Sequence, residues 1–189
     1  MRAMNLSPTS ASRRGAALLG LCAAVSFSTS ALADGNRRAG DVLSYAMPAG
    51  VAAYELYQGE REGAWQFGKA FVVTLGATEV LKRTTNVERP DHSNDESFPS
   101  GHASRAFSAA TYVHRRYGLE SAWPMYVAAT YVGWTRVDAN KHRWSDVAGS
   151  AALSAAVTWW LVDPKQDRRV TVLPLIGPRG AGVEVSARW

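Results

Sequence analysis

A chain of 189 residues has room for one domain and a targeting segment, and its formal charge of +5 is unevenly distributed. Arg2, Arg13 and Arg14 precede Ala33 with no acid among them, so the remainder carries 18 bases against 16 acids, a balance that does not argue for a nucleic-acid partner. A single cysteine, Cys22, excludes a disulfide scaffold, and no group of His, Cys, Asp and Glu has metal-ligand spacing.

Residues 1–33 read as a secretory signal peptide: three arginines, an apolar stretch over 16–27, and the small-residue cleavage site Ala31-Leu32-Ala33. An exported, periplasmic body of 34–189 is expected, possible envelope association included. Leu21 before Cys22 fits a lipoprotein site poorly. Apolar periodicity predicts helices over 41–57, 62–82, 100–117, 121–137 and 145–162. Small residues recur on two of them, Ala103, Ala106, Ala109 and Ala110 on one, Ala148, Gly149, Ala151, Ala152, Ala155 and Ala156 on another, which lets helix axes approach closely. The tail changes character. Residues 170–173 and 183–186 flank a Gly-Pro-Arg-Gly turn, predicting a β-hairpin over 170–189 packed on the helical body, which ends at about 163. The fold class expected is therefore all-α: a compact bundle of about five helices with a short C-terminal β-hairpin.

The uncharged run 147–162 would span about 24 Å as a helix, short of a hydrocarbon core of about 30 Å. A soluble bundle is the reading favoured, with peripheral membrane contact as a partner interaction. Trp123, Trp134, Trp144, Trp159 and Trp160 fit a lipid interface or core packing equally well. Oligomeric state is not legible.

Three separated fragments carry the chemistry: KRTTNVERP at 82–90, PSGH at 99–102 and RVDANKHRWSD at 136–146. Lys82 and Arg89 offer a point charge and a planar fork to phosphate oxygens, or are solvated charges after an apolar helix. Ser100 and Gly101 lie where a loop enters a helix, so free N–H groups and a hydroxyl can face an anion. The same turn also suits a plain helix start. Arg136 adds a second fork. His142 and Asp146, four apart, share one helical face; the carboxylate can fix the imidazole tautomer, or the two form a surface ion pair. His102 remains for proton transfer. His92 reads as a solvated loop histidine, His114 as a charge suited to a helix C-terminus, and Asp138, Lys141 and Arg143 as solvating their loop.

The order K-x6-RP, PSGH, R-x5-H-x3-D resembles the signature of the type 2 phosphatidic acid phosphatase and vanadium haloperoxidase superfamily, over roughly 82–146. Thr135 stands where the family usually has serine, preserving the hydroxyl. The resemblance implies phosphate binding by Lys82, Arg89, Ser100, Gly101 and Arg136. It implies that His142 is a nucleophile forming phosphohistidine, oriented by Asp146, with His102 as general acid. The implied activity is a metal-independent, cofactor-free phosphatase acting on monoesters or terminal phosphoanhydrides, of a lipid phosphate or a soluble small molecule. Vanadate-dependent haloperoxidase and a non-catalytic protein binding anionic lipid headgroups are the alternatives.

Overall fold

The computed structural model describes the backbone of residues 11–165, 169–177 and 180–188 and the side chains of 34–165. Five helices follow in order: α1 (Ala11–Tyr57), α2 (Arg61–Thr85), α3 (Gly101–Tyr117), α4 (Leu119–Asp138) and α5 (Trp144–Leu161). Helices α2 to α5 start and stop within three residues of the predicted boundaries. Helix α1 begins thirty residues earlier, running unbroken across Ala33 and Pro48. Residues 1–10 of the expected signal peptide lie outside the described residues, as do the side chains of 11–33.

The helix α3 is central and packs on the other four. Its Ala103, Ala106, Ala109 and Ala110 are wholly buried, so neighbouring helices meet it almost at its backbone. Tyr112 and Phe67 pack with their rings tilted by 58° and centroids 4.9 Å apart, filling the layer between α2 and α3. Between α3 and α5 the contact is a column of hydroxyls. Ser150 donates to the Ser100 carbonyl (2.9 Å), Ser154 to the Ser104 carbonyl (3.3 Å), and Thr111 meets Thr158 at 3.0 Å. Each hydroxyl finds a backbone or side-chain partner, so the polar seam stays dry without orphaned groups. Ala148, Ala152 and Ala156, by contrast, face outward, so only part of the small-residue stripe on α5 serves packing.

The five tryptophans resolve in one direction. All are exposed, from 37% for Trp134 to 77% for Trp160, so core packing does not account for them. Their indoles lie on the outer faces of α4 and α5, where the tight alanine-lined contacts with α3 leave no room for so large a ring.

Two strands close the chain, β1 (Arg169–Gly177) and β2 (Gly180–Arg188), paired antiparallel with Val172 opposite Val185 and Gly177 opposite Gly180. This is the expected hairpin, observed over 169–188, with each strand longer than the runs 170–173 and 183–186. Its packing on the helical body lies outside the described residues.

Gly149 sets the distance between α5 and the loop before α3. A Cβ there would lie 2.3 Å from the ring of Phe98. Gly149→Leu is therefore expected to destabilise the protein by about 1–3 kcal/mol through overpacking, read as a lower thermal midpoint. An unchanged midpoint would mean that Phe98 has somewhere else to go.

Candidate active site

The three motif fragments come together at one end of the bundle, where α2 ends and α3 and α5 begin. Lys82 lies in the last turn of α2, only 9% exposed, and donates to the Glu96 carbonyl at 2.7 Å. The loop after it folds back, with Val87 bridged to Glu96 and the Ser97 N–H bonded to the Val87 carbonyl (2.8 Å). That return brings Arg89 beside the third motif. Two contacts hold the loop there: Lys141 pairs with Asp91, and Arg143 donates to the Glu88 carbonyl (2.7 Å). Lys141 and Arg143, expected only to solvate their own segment, thus fasten the rim. His92 is solvent-exposed as expected and pairs with Glu88. His114 sits in the last turn of α3 against Tyr126 and Trp159.

His142 is buried and donates from Nδ1 to the Ser97 carbonyl at 2.7 Å, while Asp146 Oδ2 lies farther from that nitrogen at 3.5 Å. This bond fixes the tautomer and leaves Nε2 as the ring's free base, with no hydrogen bond among the described residues. Asp146 reaches the histidine chiefly by another route. Its Oδ2 accepts from the Ser97 hydroxyl (2.6 Å) and from the Arg143 N–H (2.8 Å), which caps α5 and positions the residue whose carbonyl holds the imidazole. Ser97 was not singled out in the sequence; nothing in its spacing marks it. Burial, with the Lys82 and Arg89 charges, pushes the His142 pKa down to about 4, so the ring is neutral at ordinary pH. Burial and then Arg89 likewise lower the pKa of Lys82.

His102, in the first turn of α3, belongs to a second group. Asp41 of α1 bridges its Nε2 (2.9 Å) and the Arg136 guanidinium (2.7 Å) through one oxygen. Arg136 also donates to the Arg37 carbonyl (2.8 Å) and to Thr135 Oγ1 (3.2 Å). Burial, Arg136 and Arg105 push the His102 pKa down to about 4, against the pull of Asp41. Asp41 did have a sequence signal: it is the one charge in the run 39–54. Gly40 lets α1 come close enough to deliver it, since a Cβ there would collide with Thr135 Oγ1 at 2.1 Å.

Between the two groups lies the start of α3. The N–H groups of its first turn have no partner within the helix and carry the positive end of its dipole. Ser100 is wholly buried with an unpartnered Oγ, and Arg89 Nε is buried and unpartnered too. Gly101 leaves space beside Lys82, whose Cε would be 3.8 Å from an added Cβ. Orphaned buried donors are costly, and one anion with several oxygens satisfies them together. Among the described residues no group of His, Cys, Asp and Glu is arranged to hold a metal ion.

A model of the PAP2 superfamily matches residues 63–169, which contain all eight candidate site residues. The lipid A 1-phosphatase of Porphyromonas gingivalis is 38% identical over 81 residues, 40% of this chain and 18% of that protein, so the chain spans less than a fifth of that relative. The lipid A 4'-phosphatase of Helicobacter pylori is 28% identical over 166 residues, covering 79% of this chain and 83% of that protein. The crystal structure of Aquifex aeolicus LpxE shares the fold, with a TM-score of 0.60 at 19% identity over 69% of this chain and 85% of that one. With its three motifs converging at one end of the bundle and a family match over more than half its length, the chain belongs to the PAP2 superfamily.

Proposed function

We propose that the protein is a metal-independent phosphatase that removes a terminal phosphate from a lipid by way of a phosphohistidine. The observation that carries the reading is the His142 environment: Nδ1 committed to the Ser97 carbonyl, Nε2 unpartnered, and two cations nearby, Lys82 buried and Arg89 half-buried. A phosphate seated on Lys82, Arg89, Ser100, the Gly101 N–H and Arg136 presents its phosphorus to Nε2, which attacks as the P–O bond to the alcohol breaks. The departing oxygen takes a proton from His102. In the second half water attacks phosphorus, His102 takes its proton, and the P–N bond breaks to return neutral His142 and inorganic phosphate.

His102 begins with a depressed pKa, which suits a base better than an acid. The substrate corrects this. A phosphate dianion arriving beside it offsets the Arg136 and Arg105 charges and draws a proton onto the ring, so the acid forms only when there is something to protonate.

The relatives support a lipid as the carrier of the phosphate, both being lipid A phosphatases by name. The surface supports it independently. From Val42 to Tyr57 the one charged side chain of α1 is Glu55, which is buried, and Tyr45, Tyr54, Leu56 and Tyr57 stand exposed. Helix α5 presents Trp144, Trp159 and Trp160 outward with small residues between. Apolar surface on this scale, with tryptophans toward both ends of the bundle, fits contact with lipid better than with water. Among the described residues no helix is long and apolar enough to cross a membrane. Export through removal of residues 1–33 completes this reading and puts the site in the periplasm.

Phosphate release from lipid and aryl phosphates is expected to survive chelators and to vanish in His142→Ala; turnover persisting in that variant would overturn the nucleophile assignment. In the free protein, the His142 ring followed by NMR should titrate at about 4. Lys82→Met should move that midpoint upward, since a cation that disfavours the imidazolium is removed; a midpoint near the usual histidine value contradicts the charge arrangement. Asp41→Asn frees Arg136 from its carboxylate, so inorganic phosphate should bind about tenfold more tightly while kcat falls, because His102 loses the partner that favours its protonated form. Weaker phosphate binding in that variant would mean that Asp41 organises the anion seat instead of competing for it.

A further inference from the structure

A groove of about 430 Å³ lies along α1, α3 and α4, away from the phosphate-handling residues. Its α1 wall is two adjacent helical columns, Ala46, Gly50 and Tyr54 on the exposed side and Met47, Val51 and Glu55 on the buried side, each spaced four apart. The exposed column continues upward to Val42, the neighbour of Asp41, so the line from the site to Tyr54 is about 18 Å, and the α3 and α4 walls of the groove stand along its lower part. The groove exists because two positions in that column carry almost no side chain. At Gly50 an added Cβ would meet nothing within 4 Å. Tyr54 closes the lower end, packed edge-on to Tyr117 at 5.9 Å.

The chemistry of the walls narrows the occupant. Met47, Val51, Val113 and Met125 are apolar, and the Ser121 hydroxyl near the bottom donates to the Tyr117 carbonyl. Glu55 touches the groove, but its Oε1 accepts from Tyr112 (2.8 Å) and Tyr117 (2.6 Å), and its unpartnered Oε2 is buried on the side of Gly63 in α2. The Tyr117 hydroxyl is thereby committed as well, and the Tyr54 hydroxyl accepts from Gln58. A polar ligand would find little to bond. An extended hydrocarbon would bury its surface along the whole length. The three helices forming the groove also supply Asp41, His102 and Arg136 at their upper ends, so an extended chain running down the α1 column from a phosphate held there would reach this trough.

We propose that the groove seats one alkyl chain of the lipid phosphate substrate and that Gly50 determines how long a chain it accepts. This rests on the lipid-phosphatase reading and adds to it a chain-length ruler separate from the phosphate seat. Large residues in the column should act as stops at successive depths, Ala46→Phe one helical turn nearer the site than Gly50→Phe. Neither enters the packed interior, as both positions are exposed and helix formation does not favour glycine.

The experiment measures kcat/KM for n-alkyl phosphates from butyl to hexadecyl, with the full chain in one detergent at fixed mole fraction. The wild type should gain up to about fourfold per methylene seated, levelling when Tyr54 is reached. Gly50→Phe should level at an intermediate length and Ala46→Phe at a shorter one. Gly76→Phe, on α2 and equally open, should reproduce the wild-type series. Equal series in all four proteins overturn the proposal, and so does a flat wild-type series, which is the result if the groove holds a bulk lipid chain or water. Absence of turnover on every phosphate would instead be a failure of the phosphatase reading. Calorimetric binding of the matching alkylphosphonates then tests the groove alone: affinity rising with length in the wild type and stopping early in the two groove variants supports it, and parallel series overturn it.

Discussion

The carboxylate of Asp146 is the constraint on which the site end of the bundle depends. It is 1% exposed, and a buried charge survives only where hydrogen bonds replace the lost water. One oxygen meets this demand with the Ser97 hydroxyl and the Arg143 N–H, and lies within reach of the His142 ring. Three chain segments are therefore fixed by a single atom: the loop before α3, the first turn of α5, and the segment between α4 and α5. Removing the charge would leave the hydroxyl, the cap and the histidine to find separate partners, and their mutual placement is what the proposed reaction needs.

Around that anchor the charges are arranged unequally. Arg136 and His102 share Asp41, whereas Lys82 and Arg89 have no carboxylate within salt-bridge distance among the described residues. Holding cations wholly or partly out of water without counter-charge costs free energy, and the cost is recovered when an anion arrives. One half of the site is thus held in balance by the protein and the other half is left for the substrate to balance.

The motif residues were legible because each is a rare chemical type at a rigid spacing, and the helices because their long apolar stretches end at polar, turn-forming segments, although clear one-faced periodicity is confined to α3. Asp41 was visible only as an isolated charge, since its partners His102 and Arg136 lie about 60 and 95 residues away in sequence and helix packing alone brings them together. Ser97 was invisible for a different reason: its backbone carbonyl contacts the histidine, and any residue has one. The direction faced by the tryptophans was undetermined because an indole suits a core and an interface alike, and only the closeness of the alanine-lined contacts around α3 decides between them. The groove beside Gly50 follows from missing side chains, a feature that periodicity arguments do not register.

The hydroxyl column between α3 and α5 carries a further consequence. Asp146, Ser150, Ser154 and Thr158 recur every four residues, so sliding α5 by one turn would set a hydrogen-bonding group opposite nearly every position it had left. Along most of its length such a seam cannot tell one alignment from the next. The ambiguity ends at Asp146, because a carboxylate moved one turn onto the hydroxyl positions would lose the Ser97 and Arg143 donors and stand uncompensated in a dry interior. The group proposed to steady the nucleophile is in this sense also the mark by which two helices recognise their correct alignment while the chain is folding.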